Sequence, residues 1–414
     1  MLNVKRLILD NGLNVIFIID KTKNAKSAYL TVNVGGFVKE FTMDGVEYKL
    51  PYGIAHYLEH YLIENSIYGN SMKMFSDDYI ESNGFTAPNR TVFYINTVHD
   101  FEDNLVKLLN IVNNPKFTLE KVESIKKPIL REIDKSLDRP HRKENKFAFE
   151  KTYKEIPFDV TLGEHDDIKN IKLDDIKLYH EAFYNAKNEL LVLSGNLDEQ
   201  EMIKLINDTY SNFKNNNHEI VKHTYKEVDE VVEKESETTG IEDLVKIKYK
   251  INISKFKPVD KDKLSYYFSF MIFSNLSERT ELFRYIIDNK ISSFALSSNV
   301  EFGLSKDYLD LTIVMYTDRF GDGKELIIDK INNLTFDKEL FELWKNKQII
   351  TKINSLENFG SVIRDYMDNI YLYDYYNYDD IEFVKALNIE ECIKMFNKLN
   401  FKNYNVTICK KNNQ

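Results

Sequence analysis

The sequence predicts an α+β fold built from two related domains, each a mostly antiparallel sheet covered by helices. A chain of 414 residues is longer than one ordinary hydrophobic core organises, so more than one domain is expected. Short apolar runs bounded by turn residues predict strands, and longer runs with a 3.6-residue period predict helices. Both halves of the chain repeat the order strand, helices, strands, helices, strand. We therefore predict an N-terminal domain at 1–214, a linker at 215–243 and a C-terminal domain at 244–414.

The N-terminal domain begins with a predicted hairpin, because apolar runs lie on both sides of the turn Asn11-Gly12. A first helix is predicted after Gly53, and the next is expected to stop at Asn83-Gly84. Pro128 is expected at a kink or near the start of its helix. In chain order, the predicted strands are 7–9, 15–19, 27–34, 91–97 and 190–196, and the helices after the first are 72–82, 101–112, 119–137, 143–153, 174–184 and 198–213.

The C-terminal domain follows a polar and charged stretch that is the poorest core candidate, which is why the linker is predicted there. Cys392 and Cys409 lie in apolar-periodic segments, so we expect buried thiols rather than a disulfide. The predicted strands of this domain are 245–253, 293–300, 308–315 and 404–408, and its predicted helices are 261–274, 278–289, 324–333 and 338–354.

Charge and composition argue against several classes of protein. The net charge of −10 argues against nucleic acid as the main partner. No run of about eighteen apolar residues occurs, so no membrane span is expected. The first residues contain no apolar stretch of signal-peptide length, and a cytoplasmic location is expected. Clusters of lysine are interleaved with acidic residues, and we interpret them as solvated faces.

One histidine pair has a spacing with chemical meaning. His56 and His60 stand one turn apart on a predicted helix, with Cβ atoms roughly 5–6 Å apart, so both imidazoles can reach one Zn²⁺. Glu59 borders the same face and completes H-x-x-E-H, the inverse of the H-E-x-x-H motif of zinc proteases. The pattern predicts a zinc site with a water in the fourth position. Glu59 would take a proton from that water as it attacks a peptide carbonyl.

The same pattern also has an ordinary interpretation, because histidines on a helix are usually surface or core residues. With eight histidines in the chain, the pattern arises by chance in roughly one comparable chain in a hundred. A zinc site also needs a third protein ligand, and a carboxylate is the expected one. Glu132 lies on an apolar face of the helix predicted at 119–137. Distance in sequence does not give distance in space, so three other carboxylates compete with it: Glu123, Asp134 and Asp138.

Several segments resemble, in the right order, the inverzincin family of zinc peptidases, which includes pitrilysin, insulin-degrading enzyme and the mitochondrial processing peptidase. The segment Gly53–His60 matches the metal-binding helix of this family almost residue for residue. The chain is similar to the half-size bacterial members, and the resemblance implies half of a clamshell peptidase. The other matching segments are 9–15, 83–86 with Thr91 and Phe93, 132–140 and 163–195.

The resemblance also implies which residues form the site. It implies that one Zn²⁺ per chain is bound by His56, His60 and Glu132, with Glu59 as the general base. It further implies that an extended peptide adds a strand to the sheet edge by main-chain hydrogen bonds. The substrate-binding residues would be Asn83, Gly84, Phe85, Thr86 and Ala87. Without the resemblance, Asn83-Gly84 is simply a helix stop.

Two regions depart from the family pattern. Family members usually carry a second glutamate seven residues before the distal ligand, which is Glu132 here. This chain has Ile125 at that position. Glu123, two residues earlier, is the candidate that would support the metal ligands instead. Many members also supply an Arg and, seven residues on, a Tyr that stabilise the oxyanion. Alignment places Ile287 and Phe294 at those positions, and neither side chain can donate a hydrogen bond. We therefore expect a heterodimer with a homologous subunit that supplies the Arg/Tyr pair, and a homodimer as the second choice.

The expected function is that of a zinc-dependent endopeptidase subunit, which cleaves extended peptides in peptide processing or degradation. The main alternative is a non-catalytic paralogue that keeps the fold, although such paralogues generally lose H-x-x-E-H. A structural zinc would need a closed, cysteine-rich site, and no cysteine lies near the motif in the sequence. A metal-free α+β protein is the remaining alternative.

Overall fold

The computed structural model describes residues 3–214, 217–305, 307–355, 360, 363, 367, 370 and 380–412. The chain divides into two units. Met1–Ser136 and Asp159–Thr224 form the first unit, and Leu137–Phe158 and Tyr225–Gln414 form the second. The first unit therefore holds the predicted zinc motif.

Strands form where β-branched and aromatic residues alternate or run together between turn residues. The predicted hairpin is confirmed, since the first two strands pair antiparallel and Gly12 has the positive φ, 88°, that suits a tight turn. In chain order the strands are β1 (Asn3–Ile8), β2 (Asn14–Ile19), β3 (Lys26–Val32), β4 (Glu40–Met43), β5 (Val46–Lys49), β6 (Glu81–Thr86), β7 (Thr91–Thr97), β8 (Glu189–Gly195), β9 (Ile220–Lys222), β10 (Glu235–Gly240), β11 (Leu244–Asn252), β12 (Ser297–Ser305), β13 (Tyr308–Tyr316) and β14 (Tyr404–Lys411).

The two units share one sheet topology. In the first unit, the main sheet has the order β1-β2-β8-β3-β7-β6, in which β2 and β8 are the parallel pair. In the second unit, the order is β10-β14-β11-β13-β12, in which β10 and β14 are the parallel pair. Apart from β1, the two orders correspond strand for strand, and the other neighbours are antiparallel. This correspondence confirms the predicted α+β fold with two related domains.

The helices of each unit bury their apolar faces in the core of that unit. None of the helices in the described ranges is both long and apolar enough to cross a membrane. Cys392 and Cys409 are buried free thiols, as predicted. In chain order the helices are α1 (Ile54–Glu64), α2 (Ser71–Asp77), α3 (Phe101–Asn113), α4 (Leu119–Leu137), α5 (Arg142–Thr152), α6 (His165–Asn170), α7 (Leu173–Phe183), α8 (Glu199–Tyr210), α9 (Pro258–Asn275), α10 (Glu281–Asp288), α11 (Phe320–Asn332), α12 (Lys338–Ser355), α13 (Asp380–Ala386) and α14 (Ile389–Phe396).

The helix predicted at 72–82 is wrong in its second half. α2 ends at Asp77, and Tyr79 adopts a left-handed conformation with a φ of 59°. The backbone N–H of Ile80 then donates to the carbonyl of Phe75 (2.8 Å), which closes the helix end. The chain continues as β6, so Asn83-Gly84 lies in a strand rather than at a helix stop. Because the left-handed residue is a tyrosine and not a glycine, no signal of this break is visible in the sequence.

The boundaries of the two units differ from the predicted ones in two places. The predicted linker at 215–243 contains β9, which pairs with β4 in the first unit, and β10, which pairs with β14 in the second. Residues 137–158, predicted in the N-terminal domain, belong to the second unit, where α5 packs against β10, β11 and β14. Short charged strands at a sheet edge look like linkers in a sequence, and packing between distant segments has no local signal.

The lysines of β11 are buried, whereas the sequence predicts solvated faces for lysine clusters. Lys246, Lys248 and Lys250 alternate along one face of the strand, and α5 packs against this strand within the same unit. Nζ of Lys250 lies 2.9 Å from Oε1 of Glu227, and neither side chain is more than 1% exposed. Glu227 also accepts hydrogen bonds from the backbone N–H groups of residues 154–156, just after α5. The buried pair therefore joins β11 to the segment that covers it.

Replacement of the buried lysine tests this contact. We expect Lys250→Met to lower the free energy of unfolding by about 3–5 kcal/mol, because it leaves the carboxylate of Glu227 buried without a counter-charge. Lys410→Met on β14 is the matched control, since it removes an ion pair with Glu237 in which the side chains are 51% and 61% exposed. We expect the control to change stability by less than about 1 kcal/mol. Urea unfolding followed by circular dichroism measures both, and equal losses in the two variants would contradict the role of the buried pair.

Candidate metal centre

Helix α1, which carries the motif, is preceded by a glycine whose backbone conformation would be strained for any other residue type. Gly53 has a φ of 78°, and a Cβ at this position would lie 2.5 Å from the carbonyl oxygen of Leu162. The helix itself is buried on nearly all sides. The side chains of His56 and Glu59 therefore lie out of water, with the residues 7% and 5% exposed. Buried polar groups of this kind destabilise the fold unless they find partners.

Two tyrosines of α1 fix the position of α4, the helix that brings the predicted third ligand. Oη of Tyr57 donates to the carbonyl of Val122 in α4, and Oη of Tyr61 donates to the carbonyl of Lys116 (2.8 Å) just before it. A buried stripe with helical spacing packs α4 into the core. Glu132 borders this stripe, which consists of Val122, Ile125, Ile129 and Ile133.

Glu132 lies close to both histidines of α1. Its Oε2 atom lies 3.6 Å from Nε2 of His56 and 3.4 Å from Nε2 of His60. Two atoms bound to one tetrahedral zinc at about 2.1 Å are about 3.4 Å apart, so the observed distances fit a shared zinc ion. Within the part of the chain that the structure describes, these three side chains form the sole group of His, Cys, Asp or Glu residues with ligand atoms within 4.8 Å of one another.

The carboxylates that compete with Glu132 in the sequence are not in this group. Asp134 lies 2.8 Å from Nε2 of His165, and Asp138 belongs to the second unit. Glu123 forms an ion pair with Lys126 (2.8 Å), and its side chain is 54% exposed. The structure therefore does not bring Glu123 into the group formed by His56, His60 and Glu132.

The two histidines have pKa values shifted in opposite directions. Burial lowers the pKa of His56 to about 4, so its imidazole is neutral, which is the form that binds a metal. Burial also acts to lower the pKa of His60, but the hydrogen bond with Glu132, the charge of Glu59 and the hydrogen bond with Glu64 outweigh it and raise that pKa to about 9. Three carboxylates thus surround one imidazole. A divalent cation would balance this negative charge, so the donor set and the charge both fit zinc.

The carboxylate of Glu59 is directed to strand β6. Oγ1 of Thr86 donates a hydrogen bond to Oε2 of Glu59 (2.9 Å). Burial raises the pKa of Glu59 to about 7, against the opposing influence of the charge of His60 and the hydroxyl of Thr86. A carboxyl group with a pKa near neutrality can accept and return a proton at physiological pH.

Two residues that the sequence did not single out act on the histidines. Oε1 of Glu64 lies 3.1 Å from Nδ1 of His60 and orients that ring, as carboxylates commonly do for metal-binding histidines. The spacing of four residues on one helix could have revealed it. The charge of Asp159 acts on His56 from another part of the first unit, without a local signal in the sequence. Glu64 thus contacts a histidine of the group directly, whereas Glu123, the candidate from the sequence for such a role, pairs with Lys126.

The predicted substrate-binding strand lies at the open edge of the main sheet of the first unit. β6 is the outermost strand of the six and pairs with β7. The backbone N–H of Gly84 donates to Oδ1 of its neighbour Asn83 (2.8 Å). The predicted residues are the last four of β6 and the residue after it: Asn83, Gly84, Phe85, Thr86 and Ala87. The hydrogen bond from Thr86 to Glu59 brings this strand next to α1.

The two positions at which the family resemblance led us to expect oxyanion donors lie in the second unit. Ile287 belongs to α10 and is 37% exposed. Phe294 lies between α10 and β12, is 64% exposed, and packs edge-on against Tyr316 with 6.1 Å between ring centres. Both are apolar side chains, so neither can donate a hydrogen bond to an oxyanion.

Curated relatives of this chain include proteins named as zinc proteases. Residues 17–162 match the family profile described as insulinase (peptidase family M16), and residues 170–346 match the profile described as the peptidase M16 inactive domain. The uncharacterized zinc protease YmfH of Bacillus subtilis is 30% identical over 265 residues, which cover 62% of each chain. The chain thus spans less than two thirds of the length of this curated relative.

Solved structures share the fold of this chain from end to end. An M16-like peptidase from Alicyclobacillus acidocaldarius has a TM-score of 0.87 at 19% identity, with 99% of both chains covered. The periplasmic protease PqqL from Escherichia coli has a TM-score of 0.76 at 14% identity, and 99% of this chain covers 48% of that one. At such identities these structures show the fold alone. Because both domain profiles of one family match in order on this fold, the resemblance seen in the sequence is confirmed and the chain belongs to peptidase family M16.

Proposed function

We propose that this chain is the metal-bearing subunit of a zinc-dependent endopeptidase that cleaves extended peptides. The observation that carries the proposal is that His56 and His60 of α1 meet Glu132 of α4 beside the buried carboxylate of Glu59. One Zn²⁺ per chain would be held by His56, His60 and Glu132. When bound, zinc acts as a Lewis acid, which activates water and polarises a peptide carbonyl.

Glu59 is the proposed general base. Its carboxylate would accept a proton from the water that attacks the peptide carbonyl and then return it to the leaving nitrogen. The burial that raises its pKa to about 7 suits both transfers. The neutral imidazole of His56 and the ring of His60, oriented by Glu64, would keep the metal beside this base.

The open edge of β6 is the proposed binding site for the peptide backbone. An extended peptide can add a strand there by main-chain hydrogen bonds, which recognise the backbone and tolerate many side chains. Residues 83–87 would supply these bonds. Because Thr86 of the same strand contacts Glu59, a peptide paired with β6 would lie beside the proposed base.

A homologous partner subunit would complete the active site. The apolar side chains of Ile287 and Phe294 support this, since they stand where the family resemblance predicts oxyanion donors. This chain aligns with about half of PqqL, so the PqqL chain is about as long as two chains of this size. This relation in length also supports a partner subunit. We propose a heterodimer, with a homodimer as the alternative.

A non-catalytic paralogue is the competing function. The profile described as the peptidase M16 inactive domain supports that alternative only weakly. It matches residues 170–346, and His56, His60 and Glu132 lie outside that range. The matched insulinase profile, at residues 17–162, includes that group. The zinc-protease interpretation is therefore the one that the geometry supports best.

Glu59→Gln separates catalysis from metal binding. The amide cannot accept a proton, so in an assay with the partner subunit, if the partner is required, we expect turnover of a long quenched fluorescent peptide to fall about a hundredfold to ten-thousandfold. The three proposed ligands are unchanged, so zinc content stays near that of the wild type. Activity and zinc are measured in the same sample, and a chelator-treated wild type with zinc restored serves as the control. Undiminished turnover in Glu59→Gln would sink the assignment of the base.

Glu132→Gln tests the choice of the third ligand. We expect zinc affinity to fall at least about a hundredfold, because an amide oxygen replaces a charged ligand of the metal. Glu123→Gln is the matched control on the same helix, since its side chain is exposed and paired with Lys126. Competition with a chromophoric chelator measures both affinities. If zinc affinity falls by a similar factor in both variants, the cause is the loss of a negative charge on α4 and not the loss of a zinc ligand.

Addition of a partner tests the split active site. The chain alone is expected to bind zinc with little turnover. A homologous chain that carries the Arg/Tyr pair should raise kcat/KM at least about a hundredfold, because each missing oxyanion donor is worth about that much. A partner with the Arg/Tyr pair replaced by Ile and Phe is the control. Full activity of the chain alone would show that its oxyanion donors lie elsewhere, in the monomer or in a homodimer.

A further inference from the structure

One face of β6 is shaped around the carboxylate of Glu59. Side chains alternate along a strand, so Ser82, Gly84 and Thr86 share one face of β6. Oγ1 of Thr86 donates to Oε2 of Glu59 at 2.9 Å. The hydroxyl thus contacts the side chain of the proposed base, not a backbone group of the sheet.

Gly84 supplies a second, independent observation on the same face. A Cβ at this position would lie 3.3 Å from Oε1 of Glu59 and 2.7 Å from Cδ1 of Ile63. The second of these distances is a clash, and the first is tighter than an ordinary contact. Because Gly84 has no side chain, there is room on this face for Oε1 of Glu59. The hydroxyl of Thr86 binds the other carboxylate oxygen, Oε2.

A glutamate carboxylate needs such contacts in order to have one orientation. Its terminal torsion is broad and roughly two-fold, so packing of the methylene groups alone does not fix the oxygens. A hydrogen bond to a buried carboxylate is stronger than one in water and selects a single rotation. In this structure the hydroxyl of Thr86 makes that bond on the strand proposed to bind the peptide.

We infer that Thr86 is a positioning residue whose hydroxyl orients the carboxylate of Glu59 for proton transfer. This inference rests on the proposed function and goes beyond it, because Thr86 enters the substrate-binding set only through its backbone. The same strand then both pairs with the peptide and sets the direction of the base. Loss of the hydroxyl should therefore slow the chemical step rather than weaken peptide binding.

Thr86→Val and Thr86→Ser test this role in the zinc-loaded chain, assayed with its partner subunit if the partner is required. Valine keeps the shape and removes the donor, so we expect kcat to fall about tenfold to hundredfold, with KM changed less than about twofold and zinc content unchanged. Serine keeps the donor and should restore most of kcat. The matched control is Thr91→Val, directly across from Thr86 in the antiparallel pair, where the hydroxyl donates to the carbonyl of Val34 (2.9 Å). This control should keep kcat near that of the wild type.

A crystal structure of the Thr86→Val variant provides a measurement that does not depend on activity. We expect the carboxylate of Glu59 to be rotated away from its wild-type position, with both histidines in place. An unmoved carboxylate, or a rise in KM with kcat unchanged, would overturn the inference. If the wild type has no zinc-dependent activity, the proposed function fails. The position of the carboxylate in the variant then still decides whether Thr86 orients it.

Discussion

The burial of ionisable side chains on α1 is the constraint on which the first unit depends. His56 and Glu59 belong to a helix that is covered on nearly all sides. An imidazole or carboxylate in such a place destabilises the fold unless polar groups or a metal ion satisfy it. Helix α4 contributes Glu132, and strand β6 contributes Thr86. Elements far apart in sequence are therefore joined to α1 by the groups that give the site its chemistry.

The second unit repeats the sheet but buries its charges in a different way. Lys248 and Lys250 are paired with the carboxylates of Asp310 and Glu227. Positive and negative groups satisfy one another there, whereas three carboxylates surround His60 in the first unit. The carboxylates around His60 favour a bound cation, whereas the buried lysines of β11 are already balanced by Asp310 and Glu227. One topology thus accommodates a group of side chains that could hold a metal ion in one unit and buried ion pairs in the other.

The features that could be predicted from the sequence are those encoded within a few residues. The hairpin at Asn11-Gly12 and the spacing of the histidines belong to this class, because turn residues and helical periods are local. The choice of Glu132 among four carboxylates is not local, and it needed either the family resemblance or the structure. The burial of Lys250 near α5 and the bond between Thr86 and Glu59 also join distant segments. A lysine or threonine in a strand gives the same local sequence pattern whether its side chain faces water or packs against a helix.

A carboxylate of α1 contacts His60, whereas Ile125 stands where family members usually carry a second glutamate. His60 has a carboxylate at each ring nitrogen, Glu64 at Nδ1 and Glu132 at Nε2. Ile125 is fully buried in the apolar stripe of α4, where a carboxylate would have to be desolvated. Because Glu64 lies on α1 itself, one of the two carboxylates beside His60 comes from its own helix and the other from α4. The side chain of Glu132 is 43% exposed, against 9% for His56 and 24% for His60, so of the three it is the one most open to solvent.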